Sequence, residues 1–145
     1  MLRIIAIIIG VAVILVLGRF YFLGKDSQAG TAPGLVDGAL APCPEAPNCV
    51  SSEAGVDADH AVEALPLAAW DGAPAAIEAL GGAIVAQDEG YIAATFSSGV
   101  FKFVDDVELR RADDAVHVRS ASRVGYSDLG VNRKRVDALR EKLSG

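Results

Sequence analysis

Basic residues are missing from the middle of this chain. Residues 26–101 contain no Lys or Arg but eleven Asp or Glu, and the whole chain carries a net charge of −6. Such a composition disfavours nucleic-acid binding, which needs a basic surface. Ten basic and eight acidic residues follow residue 101. The simplest interpretation is that an acidic first part and a mildly basic last part pair within one domain.

Motifs of the common enzyme classes are also missing. There is no P-loop, no Rossmann glycine pattern, no G-x-S-x-G and no H-E-x-x-H. His60 and His117 lie far apart and outside any ligand-spaced motif, so we predict neither a metal site nor a cofactor. The chain contains the residue types of a Ser-His-Asp triad, but any chain of this size does, so their presence is weak support for one. Its members would come from Ser51, Ser52, Ser127, His60, His117 and Asp128.

Cysteine is scarce, with only Cys43 and Cys49, in "CPEAPNC". Two cysteines without a third are the number expected for one disulfide, and two reduced thiols are the alternative. Closing so short a loop would stabilise the fold by about 2 kcal/mol. The disulfide indicates an oxidising compartment, which is the periplasm if the source is bacterial.

Apolar residues, in contrast, dominate the N-terminus. Residues 4–18 are uncharged and apolar, and after Arg19 the aromatic-rich "FYFL" extends the run to residue 23. About 20 helical residues cross a hydrocarbon core of about 30 Å. We therefore predict a transmembrane anchor over residues 1–23, with Arg19 snorkelling to the headgroups. A cleaved signal peptide is the alternative, because "SQA" at 27–29 loosely fits a cleavage site.

Charges around this segment do not agree on its orientation. Arg3 favours a cytoplasmic N-terminus, whereas Arg19 and Lys25 favour the reverse. The Lys/Arg-free stretch that follows and the predicted disulfide favour an external domain. We predict a single-pass membrane protein, in the bacterial inner membrane if the source is bacterial, with its soluble domain on the periplasmic side.

Beyond the anchor, the chain divides into a linker over residues 24–41, rich in Gly, Ala and Pro, and a soluble domain over residues 42–145. The domain pattern predicts an α+β fold in the order strand, helix, four strands, helix. Its mainly antiparallel sheet would carry the C-terminal helix on one face. The predicted elements are a strand at 60–67, a helix within 71–82, hairpin turns at 89–90 and 113–114, and a final helix at 129–143.

One carboxylate in this sheet needs a partner. In "FKFVDDVEL", Asp105 shares a face with Phe101 and Phe103. If that face is the core, Asp105 is a buried polar residue and needs donors, for which Ser120 or Ser122 of the next strand are candidates. The same alternation places Arg119 and Arg123 on the outer face.

Positive charge gathers where the last strand ends and the last helix begins, in "SASRVGYSDLGVNRKRV" (120–136). Basic residues in the first turn of a helix oppose its dipole. The compensating anion is either internal, from the acidic residues at 105, 106 and 108, or external. An external anion would be a small molecule, a lipid headgroup or an acidic protein partner. The binding candidates are Arg119, Arg123, Tyr126, Ser127, Asp128, Asn132 and Arg133.

Three stretches resemble the domain of unknown function 1499 family. They are "CPEAPNCVSS" (43–52), "FKFVDDVELR" (101–110) and "VHVRSASRVGYSDLGVNRKRV" (116–136). The resemblance spans nearly the whole soluble part and implies motif positions without assigning them roles. These positions are Cys43, Cys49, Asp105, Asp106, Arg119, Ser120, Ser122, Arg123, Tyr126, Ser127, Asp128, Asn132 and Arg133.

Three functions are consistent with this sequence. The favoured one is a membrane-anchored extracytoplasmic binding or interaction module with an anion-binding edge. The alternatives are a small hydrolase or transferase, using Tyr126, Ser127 or Asp128 with Arg123, and a structural component of the cell envelope. The missing enzyme motifs favour a non-enzymatic role.

Overall fold

The computed structural model describes residues 1–144; Gly145, the last residue of the predicted soluble domain, lies outside the described residues. Its helices are α1 (Leu2–Ala29), α2 (Ala73–Ala79) and α3 (Val131–Ser144), with a 3₁₀ turn at Leu67–Ala69. The first strands are β1 (Leu35–Val36), β2 (Ala39–Leu40), β3 (Cys49–Ser51) and β4 (Leu65–Pro66). The later strands are β5 (Ala83–Gln87), β6 (Tyr91–Ser97), β7 (Val104–Arg111) and β8 (Ala115–Ser122).

The main sheet is antiparallel throughout its strand pairs. Its order is β3-β8-β7-β6-β5, and β4 also pairs with β8. Tight turns connect β5 to β6 and β7 to β8, at the two predicted hairpin positions. The α+β prediction is confirmed, including the C-terminal helix packed on one face of the sheet.

The strand predicted over residues 60–67 is reduced to the two residues of β4. The Asp57 carboxylate accepts hydrogen bonds from the backbone N–H groups of Asp59 and His60, so His60 lies in a turn, and Ala61 forms only an isolated bridge with Ser51. The short strand β3 was not predicted. Helix α2 begins after Gly72 and has no side-chain cap, so Asp71 does not cap it.

Helices α2 and α3 cover one face of the sheet. From α3, Val136 and Leu139 are 1% and 2% exposed, and from α2, Ile77 is fully buried. They pack with Leu109 and Val118 of the central strands. Burying one such side chain contributes about 1.5–3 kcal/mol, so this contact explains why a short helix with charges on its outer side is stable here.

The second face of the sheet is covered by the chain that precedes β3. The Ser27 hydroxyl is fully buried; it accepts the Val104 N–H at 2.8 Å and donates to the Val104 carbonyl at 3.2 Å. Strands β1 and β2 form a hairpin whose turn residues, Asp37 and Gly38, have φ of 52° and 81°. Leu40 of this hairpin is 3% exposed. Much of the stretch predicted as a flexible linker is therefore folded against the domain.

Helix α1 has a different surface from the rest of the molecule. Its most apolar 18-residue window has a mean hydropathy of 2.6, and none of that window is buried. By length and composition, α1 can either span a membrane or serve as a signal sequence.

Candidate functional site

The second face of the sheet contains a fully buried carboxylate, that of Glu108. Its oxygens accept hydrogen bonds from the Arg119 guanidinium at 3.0 Å, the Tyr91 hydroxyl at 2.6 Å and the Gly34 N–H at 2.8 Å. Arg119 was predicted on the outer face but is 7% exposed, because residues 27–40 cover that face. Burial raises the pKa of Tyr91 and the bond to Glu108 raises it further, so its hydroxyl stays protonated and donates.

A second ion pair lies beside the first. Arg123 donates from Nε and Nη2 to the Asp106 carboxylate at 2.8 and 2.7 Å, in a bidentate pair. Its Nη1 donates to the carbonyls of Ser27 and Gly30, where α1 ends. The hydrogen bond to Asp106 holds the pKa of Arg123 above its ordinary value. Arg123 is therefore neutralised within the protein and holds α1 on the sheet.

Asp105, the predicted buried polar residue, is paired from the helical side. It is half-buried, and its partner is Arg135 of α3 at 2.7 Å, with the Arg135 guanidinium 4.6 Å from the centre of the Phe96 ring. The predicted donors, Ser120 and Ser122, point elsewhere. Phe101 and Phe103, which were expected to share its face, precede β7 and contact Phe20 of α1. Alternation along one strand could not name the partner of Asp105, because the donor comes from another element.

Those two serines bind Asn132, which is fully buried in the first turn of α3. Its side-chain oxygen accepts from Ser120 Oγ and from Arg135 Nη1, each at 2.6 Å. Its amide nitrogen donates to the Asn48 carbonyl and to Ser122 Oγ, each at 3.0 Å. All polar atoms of this side chain are used, and together they join α3, β8 and the loop before β3.

Asp128 caps α3. Its carboxylate accepts the N–H of Gly130 at 2.9 Å and that of Asn132 at 2.7 Å. Burial raises the pKa of Asp128, but these N–H groups outweigh burial and hold the pKa below its ordinary value. The charged cap offsets the basic residues that follow it. Ser127 makes a smaller contribution, accepting the Leu129 N–H at 3.3 Å, while Tyr126 is 75% exposed.

Arg133 lies away from Arg123. It donates to the carbonyls of Ala61 and Asp59, each at 2.8 Å, and Arg140, further along α3, donates to those of Ala64 and Glu63. Arg123 and Arg133 line different cavities. The structure therefore does not bring these two candidates for the anion-binding edge together, since each has a separate internal partner.

A cleft of about 580 Å³ lies on the second face of the sheet. One wall is the extended chain after α1, and the floor is the outer side of β5, β6 and β7. The side chains that matter for binding are Gln28, Thr31, Val85, Tyr91, Thr95 and Arg123. The Arg123 charge at its end is already paired, so the cleft offers apolar carbon, hydroxyls and one amide to a ligand.

The Ser-His-Asp triad considered from the sequence does not form among the described residues. The Nδ1 atom of His117 lies 3.3 Å from Ser52 Oγ and 3.7 Å from a Glu53 carboxylate oxygen. A catalytic histidine needs the serine and the acid on opposite ring nitrogens. His60 uses both ring nitrogens, on the Asp57 carboxylate and on the Ala46 carbonyl, and the hydrogen bond that it donates to Asp57 raises the pKa of His60. Its geometry is that of a structural residue.

The predicted disulfide is present. The Sγ atoms of Cys43 and Cys49 are 2.05 Å apart, and no free cysteine occurs in the described chain. The sequence offered Glu108 only as one of three internal counter-ions, and it did not single out Tyr91. Their positions were readable from strand alternation, but their burial depends on the cover formed by residues 27–40.

The molecule is thus an α+β domain with internally paired charges, joined to one exposed apolar N-terminal helix. The chain belongs to the family of proteins of unknown function DUF1499, whose family model matches residues 39–143. Searches of curated proteins and of solved structures found no match.

Proposed function

We propose that this protein is a single-pass membrane protein whose DUF1499 domain lies outside the cytoplasm and binds the apolar chain of an amphiphilic molecule. The observation that carries the proposal is the cleft of about 580 Å³ between the end of α1 and the second face of the sheet. Its volume is within the range of small-molecule sites, about 300–1,000 Å³. An anion is less well supported, because Asp106 already neutralises Arg123.

Retention of α1 is supported by its packing. Cleavage after Ala29 would remove Ser27, whose buried hydroxyl makes two hydrogen bonds to Val104. It would also remove the Ser27 carbonyl that accepts a hydrogen bond from Arg123 at 3.1 Å. The end of α1 is part of the folded domain, which favours an anchor over a signal peptide. The disulfide and the Lys/Arg-free stretch after Lys25 support an external domain.

Topology gives the first test. A reporter enzyme that is active only outside the cytoplasm, fused after Gly145, is expected to be active. Intact mass of the purified fusion is expected to include residues 1–29. Activity of a reporter that works only in the cytoplasm, or a mature chain beginning after Ala29, would contradict the proposed topology.

Ligand binding gives the second test. Full-length protein is placed in nanodiscs whose phospholipid carries a diazirine at the end of one acyl chain, and adducts are mapped by mass spectrometry after illumination. We expect adducts on cleft residues such as Val85 and Thr31 in addition to α1. Ala86→Trp should abolish the cleft adducts, because Ala86 is an exposed cleft residue whose enlargement fills the space.

Ala83→Trp is the matched control. Ala83 lies on the same strand and is also exposed, but the cleft lining does not include it. Its cleft adducts should equal those of the parent, and adducts on α1 should be the same in all three proteins. Adducts confined to α1 in the parent would count against a lipid-chain site while leaving the anchor intact.

A further inference from the structure

Large apolar side chains are exposed in two loops of the domain, at residues 98–102 and 124–130. Val100 is 85% exposed, Tyr126 75% and Leu129 87%, which makes them the three most exposed large apolar side chains in residues 30–144. Leu129 also has a φ of 55°, a conformation that non-glycine residues rarely adopt. Exposed apolar side chains indicate an interaction surface when they are part of a larger apolar patch, so the neighbours of these loops decide what the exposure means.

The first loop lies against α1, and the second faces α1 across a shared cavity. The Phe20 ring stacks on Phe101 at 5.4 Å and meets Phe103 at 6.3 Å. Gly24 is in contact with the Phe101 backbone, because a Cβ on Gly24 would lie 2.0 Å from the Phe101 carbonyl oxygen. Leu23 of α1 and the second loop line the same cavity.

These contacts indicate where the loops lie relative to the membrane surface. Phe20 and Leu23 end the apolar run of α1, where a spanning helix meets the headgroups. Ser27, two turns further along α1, is bonded to Val104, the first residue of β7. Strand β7 therefore starts above the membrane end of α1, and the loop that precedes it lies at the level of the bilayer surface.

We propose that loops 98–102 and 124–130, the membrane-facing loops, insert Val100, Tyr126 and Leu129 into the interface of the bilayer that α1 spans. The inference rests on α1 being a retained anchor, as proposed above. A lipid bilayer is the occupant because the loops continue the apolar surface of α1 at its interfacial end. Exposed Lys25 and Lys102 lie beside this surface, where they can meet lipid phosphates.

The test uses full-length protein in nanodiscs with a nitroxide label on a single added cysteine. Labels at Val100→Cys and Leu129→Cys are compared with Ile8→Cys in α1 and with Asp113→Cys in the β7–β8 turn. That turn lies at the opposite end of β7, eight residues or about 25 Å away. All four positions are exposed, so the label should not disturb folding.

At positions 100 and 129 we expect high collision with oxygen and low collision with a water-soluble nickel complex, as at position 8. The label at 113 should show the reverse. Water-like behaviour at 100 and 129 with membrane-like behaviour at 8 would overturn this inference and leave the anchor standing. Low collision with both reagents at positions 100 and 129 would also overturn this inference, because it would indicate that another protein surface covers the loops. Water-like behaviour at position 8 would overturn the anchor and this inference together.

Discussion

Replacing Arg119 with Ala is expected to destabilise the protein by about 3–5 kcal/mol, because it leaves a buried carboxylate without its counter-charge. Glu108 is fully buried, and Arg119 is its ion-pair partner at 3.0 Å. The remaining donors, the Tyr91 hydroxyl and the Gly34 N–H, are neutral. The free energy of unfolding can be measured in denaturant from the fluorescence of Trp70, the one tryptophan, which is 9% exposed.

Two further variants separate the cost of the unpaired Glu108 charge from the loss of side-chain packing. Arg111→Ala removes an exposed arginine near the end of β7 and should change the free energy of unfolding by less than about 0.5 kcal/mol. Adding Glu108→Gln to Arg119→Ala removes the stranded charge and should recover part of the loss. A loss in Arg119→Ala no larger than that in Arg111→Ala would mean that this ion pair is not buried in the folded protein.

Local patterns were sufficient to predict most of the sheet. The turns at Glu89–Gly90 and Asp113–Asp114 separate strands of clear composition, and these hairpins are present. The final helix predicted at 129–143 is present as α3, and its apolar residues Val136 and Leu139 are buried. Hairpins and amphipathic helices are encoded by neighbouring residues, so a single sequence reveals them.

The cover on the second face was not predicted, since residues 24–41 have no clear periodicity. One signal was overlooked: "LVDGAL" places Asp-Gly between two short apolar pairs, which is typical of a two-residue hairpin. Without this cover, Arg119 and Glu108 read as solvent-facing residues. The burial of a strand face depends on a distant segment, and alternation alone cannot show it.

The arginine cluster shows the same limit. Dipole arguments correctly required an anion near the first turn of α3, and Asp128 and Asp105 supply it. Whether the anion was internal or external depended on which side chains the fold brings within about 3 Å, and spacing along the chain does not determine that. The structure favours the internal alternative, as Arg123 and Arg135 each pair with a carboxylate of β7.

Asn132→Ala is expected to destabilise the protein by about 3 kcal/mol, because each buried polar group that loses its partner costs about 1–3 kcal/mol. Asn132 is fully buried. Without this side chain, Ser120 and Arg135 lose the oxygen to which they donate. Ser122 and the Asn48 carbonyl lose the N–H group from which they accept. Some of these groups keep other bonds, such as the Ser122 N–H to the Asn48 carbonyl at 2.9 Å, which limits the loss.

Lys134→Ala is the matched control, two residues further along α3 on an exposed side chain. It should change the free energy of unfolding by less than about 0.5 kcal/mol under the same denaturant conditions. Asn132→Asp keeps an acceptor for Ser120, but it replaces the N–H donor that faces the Asn48 carbonyl with an oxygen. Two acceptors then face each other, so this variant should not restore parental stability. If Asn132→Ala were as stable as Lys134→Ala, the polar network would not hold α3 to β8, and apolar packing by Val136 and Leu139 would be the whole of that contact.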